Sequence, residues 1–377
     1  MKILHVIGTY KPAWVYGGPI FSTSLLCENL AKAGHQVKML TTTANGVFEL
    51  EVPIGKLQIV DGVEVIYFHR YTKDHSHLSP GLFWQVWKDC RRYDAVHIHA
   101  WWNLPAIFAA LICWLRGVKP VLSPRGMLSD FTFEKNHSSA KGIFHRTVGK
   151  FLLRNTRLHL TSEAEKQEST GIGASSFVLP NFIQTANGQA LRAPENEVFT
   201  LFFLSRIHPK KNLENLLEAL SQVTFDFRFQ VAGMGESAYL DDLKKLAVEK
   251  GLAEKIEWLG ELHGEEKFRR YAAADLFVLP SFNENFANVV IEALSAGTPV
   301  LVSEEVGLAN YVKDNELGWI CKTGAGEIAE ALTAVFEQKN KSQEIRRKAP
   351  GIIEQDFSPK ALTEKYVLEY QRLKENA

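Results

Sequence analysis

Short, mostly apolar runs, each followed by an amphipathic stretch, recur along almost the entire chain, and few folds accept that rhythm. They fall at residues 3–7, 37–41, 57–60, 63–67, 120–124, 158–161 and 177–179, then at 199–204, 227–232, 256–259, 276–279 and 300–302. Runs this short and this apolar are buried on both faces, which is how strands of a parallel sheet read. Joined by helices, they make βα units and an α/β fold. Asp61-Gly62, between two of the runs, reads as a tight hairpin turn.

The rhythm is interrupted at 184–197, a polar stretch containing Asn, Gln, Gly and Pro, which reads as a linker. A length of 377 residues suits the two domains this implies, 1–183 and 197–358. With 46% hydrophobic and 23% charged residues, the chain is an ordinary globular one and not a disordered one. Cys27, Cys90, Cys113 and Cys321 form no Cys-x-x-Cys pair, so neither a disulfide framework nor a zinc site is expected. The N-terminal segment lacks the apolar core of a signal peptide, and no run approaches the ~20 apolar residues of a membrane span. A cytoplasmic protein without a nucleic-acid partner is expected. Basic and acidic residues balance at 43 each, but residues 1–183 hold 20 basic and 13 acidic side chains, leaving 23 and 30 for the rest. Either the first half meets an anionic partner or the two halves complement each other.

The chemistry-bearing residues follow the apolar runs, where open α/β sheets place ligands. After 276–279 the chain reads Pro280-Ser281-Phe282-Asn283-Glu284-Asn285-Phe286-Ala287-Asn288, then enters an apolar helix stopped by Gly297 and Pro299. Glu292 lies eight residues beyond Glu284, about two helical turns on. Flanked by Ile291 and Ala293, it is either a buried acid that needs a partner or an acid turned to solvent. After 199–204 come Arg206 and Lys211, two cations at a helix start that already favours anions. Gly17-Gly18 and Gly233-Met234-Gly235 permit close backbone approach in two further loops.

Alternation places His97 and His99 on one face of a strand. They read as a core pair rather than a metal pair, since no third ligand is evident nearby. Arg125 ends the run 120–124 and is a candidate phosphate or acceptor ligand. Residues 138–157 interleave Lys141, Arg146, Lys150, Arg154 and Arg157 with Ile143, Phe144, Val148, Phe151 and Leu152. That pattern is a core-facing stripe with a solvated back, or a face lying on an anionic membrane.

Together, the run from Glu284-x7-Glu292 to Ala296-Gly297-Thr298-Pro299, the Arg206-x4-Lys211 pair, His97-x-His99 and the two glycine loops resemble the retaining GT-B glycosyltransferases of family 4. The resemblance covers essentially the whole chain. It implies two Rossmann-like, doubly wound domains facing a central cleft, with a helix at about 359–377 returned to the first. It also implies transfer of a hexose from a UDP- or GDP-sugar to a hydroxyl of a saccharide or lipid-linked saccharide, with retained configuration. Cell-surface polysaccharide assembly on the inner face of the membrane is the matching setting.

In that scheme Arg206 and Lys211 stabilise the leaving diphosphate in place of a metal, and no cofactor is required. Glu284 and His99 hold the sugar, and Glu292 the ribose hydroxyls. Gly17, Gly18, Gly233 and Gly235, with Asn285, Phe286, Ala287 and Asn288, line the donor. Lys11, Trp101, Trp102 and Arg125 are the acceptor candidates. The family usually has Gly where this chain has Ala287 and Asn212. The absence of an Asp-x-Asp triplet weighs against the metal-dependent GT-A alternative. A GT-B nucleotide-sugar epimerase and a non-catalytic sugar-nucleotide-binding protein remain as rival readings.

Overall fold

The structure is a computed structural model and describes residues 1–128, 145–186 and 196–375. Most of the expected linker 184–197, and the first part of the basic segment 138–157, lie outside these residues. The chain divides into two units, Met1–Ile183 together with Phe357–Ala377, and Gln184–Asp356.

The strands of the first unit are β1 (Lys2–Val6), β2 (Gln36–Thr42), β3 (Ala44–Asn45), β4 (Phe48–Glu49), β5 (Leu57–Val60), β6 (Val63–Phe68), β7 (Ala95–His99), β8 (Val121–Ser123), β9 (Arg157–Leu160) and β10 (Ser175–Val178). Among the described residues, eight of them form one sheet in the order β10-β9-β8-β7-β1-β2-β6-β5, and β3 and β4 form a small hairpin. Every neighbour in the large sheet is parallel except β5, which turns back on β6 through Asp61-Gly62.

The apolar residues of β1 explain the layering. Leu4 and Val6 point into a core shared with Leu82, Val86, Ile112 and Leu152 from the helices on one face. Ile3 joins Leu26, Leu30, Tyr366 and Tyr370 on the other. The last two belong to the helix Pro359–Glu375, so the end of the chain completes the core of its beginning.

The second unit has β11 (Phe199–Leu204), β12 (Phe227–Ala232), β13 (Ile256–Gly260), β14 (Leu276–Leu279), β15 (Val300–Ser303) and β16 (Gly318–Cys321). They make an all-parallel sheet in the order β13-β12-β11-β14-β15-β16. β14 and β15 are buried at every position, as continuous apolar runs require. In each sheet the chain order reverses once, between β1 and β7 and between β11 and β14. Such switch points open a crevice at the carboxyl ends of the strands, where α/β proteins take ligands. Among the described residues, no helix is long and apolar enough to cross a membrane.

Candidate functional site

At the switch point of the second unit, the loops that follow β11 and β14 meet. Beyond β11, the side chain of His208 accepts a hydrogen bond from the Lys210 amide and starts a single turn, Pro209–Lys211. Asn212 closes it in the left-handed region, at φ 61°. Asparagine tolerates that conformation better than most residues. Here its buried side chain also ties two loops together, donating to Pro280 O at 3.0 Å and Thr323 O at 2.8 Å. A glycine would supply the conformation without the ties.

The loop after β14 is held just as firmly. Phe282 N donates to Lys210 O at 2.9 Å, Glu284 N to Glu305 O at 3.0 Å and Gly307 N to Glu284 O at 2.8 Å. Lys211 and Glu284 are thereby brought into a direct ion pair, their side chains only 13% and 16% exposed. Burial, with the charges of Lys210 and Arg206 adding to it, presses the Lys211 ammonium down to about 7. The Glu284 carboxylate pulls the other way. Arg206 is exposed beside them. The result is a mostly buried Lys211–Glu284 pair with the exposed Arg206 near it, a set of donors and one acceptor suited to a group that carries both phosphate and hydroxyls.

Ala287 takes the left-handed conformation, at φ 67° and ψ 71°, just before the helix Asn288–Ser295. This is the position at which a glycine is usual, and the methyl group is accommodated at the cost of backbone strain. Phe286 is buried, and Asn285 and Asn288 are partly buried around it.

Of the two readings of Glu292, the structure excludes the solvent-facing one. Its oxygens meet Lys267 Nζ at 2.9 Å and the Tyr271 hydroxyl at 3.2 Å. Burial and that carboxylate together push the Tyr271 phenol well above its ordinary value. Lys267 and Tyr271 were not singled out from the sequence. Their i, i+4 spacing on the helix Gly264–Ala273 places them on one face, but nothing in the sequence says which acid that face meets.

Gly233 and Gly235 have a steric cause. A Cβ at Gly233 would lie 1.8 Å from Ser205 O, and one at Gly235 would lie 2.4 Å from Ile207 O. The two glycines let the loop after β12 run directly against the loop that carries Arg206, with Ile207 N donating to Met234 O at 2.7 Å.

At the switch point of the first unit, Gly17 has φ 70° and ψ −140°, a conformation for glycine, and Gly18 opens the helix Gly18–Lys32. His5 and His97 are paired in register on β1 and β7. His5 Nδ1 and His99 Nε2 share a hydrogen bond at 2.9 Å. His97 is held by the Tyr370 hydroxyl at 2.7 Å and Ser123 Oγ at 2.6 Å, and Ser123 in turn contacts His159 Nδ1 at 2.6 Å. Burial first, and the nearby Arg125 cation after it, hold His5 and His159 down at about 3. The same causes, with neighbouring histidines, keep His97 and His99 well below the ordinary range. All four imidazoles are neutral at neutral pH.

His5 is the third histidine that sequence reasoning did not find. One nitrogen from each of His5, His97 and His99 lies within 4.8 Å of the others. The donor chemistry nevertheless fits a hydrogen-bonded core network better than a cation. Both nitrogens of His97 are engaged, and the Arg125 guanidinium stands 3.5 Å from His99 Nδ1. His99 itself is fully buried, so substrate contact needs its pairing with Arg125 to open.

The four acceptor candidates are all engaged in internal contacts. Lys11 is buried, with Glu28 and Asp61 each 2.5 Å from its ammonium, and serves as an internal tie. Trp101 is wholly inside the core and forms no surface wall. Trp102 is half-buried, its indole N–H donating to Met127 O at 2.8 Å. Arg125, at φ 54°, uses its guanidinium to join Ser22, Thr23 and Asn181 at 2.7–2.9 Å, so it braces the loop ends.

Two family models match the chain, "Glycosyl transferase 4-like domain" over residues 17–181 and "Glycosyl transferases group 1" over residues 185–351. The alpha-monoglucosyldiacylglycerol synthase of Streptococcus pneumoniae is 31% identical over 365 residues, covering 89% of this chain and 79% of the relative. Sucrose-phosphate synthase from Thermosynechococcus elongatus has the same fold, with a TM-score of 0.76 at 18% identity over the whole of both chains. The Anabaena protein HepE, solved with UDP and glucose, superposes with a TM-score of 0.75 at 20% identity, over 99% of this chain and 100% of HepE.

Proposed function

The chain belongs to the family 4-type glycosyltransferases of GT-B fold, and on that premise we propose that it moves a hexose from a UDP- or GDP-sugar to a hydroxyl acceptor with retention of configuration. The observation that carries this reading is the direct Lys211–Glu284 ion pair at the β11–β14 switch point, with Arg206 near enough for its charge to act on Lys211. In the proposed reaction the bond between the anomeric carbon and the diphosphate oxygen breaks, and its electron pair leaves with the diphosphate. Arg206 and Lys211 stabilise the charge that develops there, in place of a metal, Lys211 from a mostly buried position where charge counts for more. The acceptor hydroxyl attacks from the same face and gives its proton to the departing phosphate. Glu284 accepts hydrogen bonds from the sugar and Glu292 from the ribose, with Lys267 and Tyr271 fixing the Glu292 carboxylate.

The acceptor we propose is a saccharide or lipid-linked saccharide in cell-surface polysaccharide assembly, met at the cytoplasmic face of the membrane. The pneumococcal relative, named for a glucosylated diacylglycerol, supports an acceptor with a lipid part.

A thermal-shift panel of UDP, GDP, ADP and their sugars, with and without EDTA, tests the donor assignment. A selective, EDTA-insensitive rise with one nucleotide is expected, since a ligand that binds the native state alone raises its melting temperature. No rise with any of them overturns it. Product anomers read by NMR then decide retention. Alteration of the free nucleotide sugar without acceptor would make the protein an epimerase.

A further inference from the structure

The four cysteines share no motif, yet the fold brings two of them together. Cys90 caps the helix Pro80–Asp89, and Cys113 lies in the last turn of the helix Leu104–Leu115, 23 positions away. Both are free thiols, fully buried in the core on one face of the first sheet. They interact directly, with the Cys113 thiol as donor and the Cys90 sulfur as acceptor. Independent contacts fix the pair from both helices. Arg91 Nε donates to Arg116 O at 2.6 Å, joining the residue after Cys90 to the cap of the helix that carries Cys113. The Arg116 guanidinium lies 4.8 Å over the Trp87 ring, and the Cys90 thiol donates weakly to Trp87 O at 3.9 Å. At the far end of the same two helices, Leu104 N donates to Ser76 O at 2.9 Å. The two helices are tied at both ends, and the thiols stand at one of the ties.

Buried cysteines are most often inert packing. Cys27 and Cys321 fit that description, since burial pushes both thiols far above their ordinary range. Cys90 does not. Contact with the Cys113 thiol first, and the Arg116 cation after it, hold the Cys90 thiol below the ordinary range against the opposing effect of burial. Among the described residues, Arg116 Nε is buried without a hydrogen-bond partner, so a donor is left over for a thiolate. A thiol with a second thiol on one side and a guanidinium on the other is set up for oxidation.

We propose that Cys90 and Cys113 are a redox-modification site, a dithiol that hydrogen peroxide closes to a disulfide between the two helices. The partly exposed Arg116 side chain swings aside to admit the peroxide. The Cys90 thiolate attacks one peroxide oxygen, the O–O bond breaks, and hydroxide leaves, so that Cys90 becomes a sulfenic acid. The Cys113 sulfur then attacks the Cys90 sulfur. The S–S bond forms, the S–O bond breaks, and the hydroxyl departs with the Cys113 proton as water. The two thiols lose two electrons and two protons, and one peroxide becomes two waters. A thiol reductant reverses the change by exchange. The site stands on its own observations and does not depend on which sugar or acceptor the chain takes.

The test treats the full chain with hydrogen peroxide, blocks the remaining thiols with iodoacetamide in denaturant, and maps the peptides by mass spectrometry. The expected product is a Cys90–Cys113 cross-linked peptide that dithiothreitol returns to two thiols. It should form at least about ten-fold faster than any product at Cys27 or Cys321. The oxidised protein is expected to melt several degrees higher than the reduced one, because the bridge closes a loop in the unfolded chain. C113S is expected to stop at a Cys90 sulfenic acid that dimedone traps. R116M is expected to slow cross-linking about ten-fold, and R116K to restore most of the rate. Absence of the cross-link from folded wild type, or its formation no faster than oxidation at Cys27 and Cys321, would overturn the proposal. Both outcomes are read on the wild-type chain, so the folding of a variant does not bear on them.

Discussion

Lys211 and Glu284 are 73 positions apart in sequence and form a direct, mostly buried ion pair. The contact exists because β11 and β14 are neighbours at the point where the sheet reverses its order, so the loop ending each strand faces the other. Each side chain restrains the other in the free protein, and in the proposed reaction a diphosphate sugar would replace that contact with one of its own at each end.

Lys211→Met should lower kcat/KM for transfer by about 100-fold or more, the scale on which a charge-stabilising donor acts. The melting temperature should move by only a few degrees. Initial rates with saturating acceptor, set beside a melting curve, check this. Turnover equal to wild type would remove Lys211 from the leaving-group role.

Ala287→Gly should stabilise the second unit by about 1 kcal/mol. It relieves an alanine held at φ 67°, partly offset by the greater freedom of glycine in the unfolded chain. Urea unfolding of the two proteins under identical conditions measures the difference. A lower midpoint for the glycine variant would show that the left-handed strain is compensated by methyl packing.

Stability should fall as pH drops below the ordinary histidine range. His5, His97, His99 and His159 are held neutral in the fold with depressed pKa values. The unfolded chain therefore binds protons that the native state refuses between pH ~6.5 and the folded values. Each histidine then withdraws about 1.4 kcal/mol per pH unit across that window, and none above it. Denaturant titrations between pH 7.5 and 5 give the slope. His5→Asn should reduce it by about one proton, whatever it does to the midpoint.

Lys267→Met should destabilise the second unit by about 2 kcal/mol, because Glu292 is left buried with only the Tyr271 hydroxyl. Lys267→Met with Glu292→Leu should be less harmful than the sum of the two single changes. Additive losses in that cycle would mean the pair is not coupled.

The strands were legible because each is a compact apolar run, and the loops after them carry the polar residues that matter. Glu284 and Lys211 could be placed at strand ends from sequence alone. That they touch depends on strand order, which no local pattern encodes. His5 was missed for the same reason: it becomes a neighbour of His97 only once β1 lies beside β7. Trp101 misled for a local reason. Ala100 adopts φ 68° and ends the alternation of β7, so the ring turns into the core where a continued strand would have kept it beside the histidines. Lys11 looked like a free loop cation because Glu28 and Asp61, its two partners, lie on other elements.

The helix Pro359–Glu375 supplies Tyr366 and Tyr370 to the core that β1 begins, and its Glu369 pairs with Arg157. Synthesis order and completion order are therefore opposite. The second unit has all of its own strands by the time β16 has been made. The first unit is made earlier, and its His97 and His159 lack Tyr370 and Tyr366 until the closing helix is available. A released chain truncated before residue 359 would carry one unit with all its strands and one open sheet, the state most exposed to aggregation and to chaperone capture.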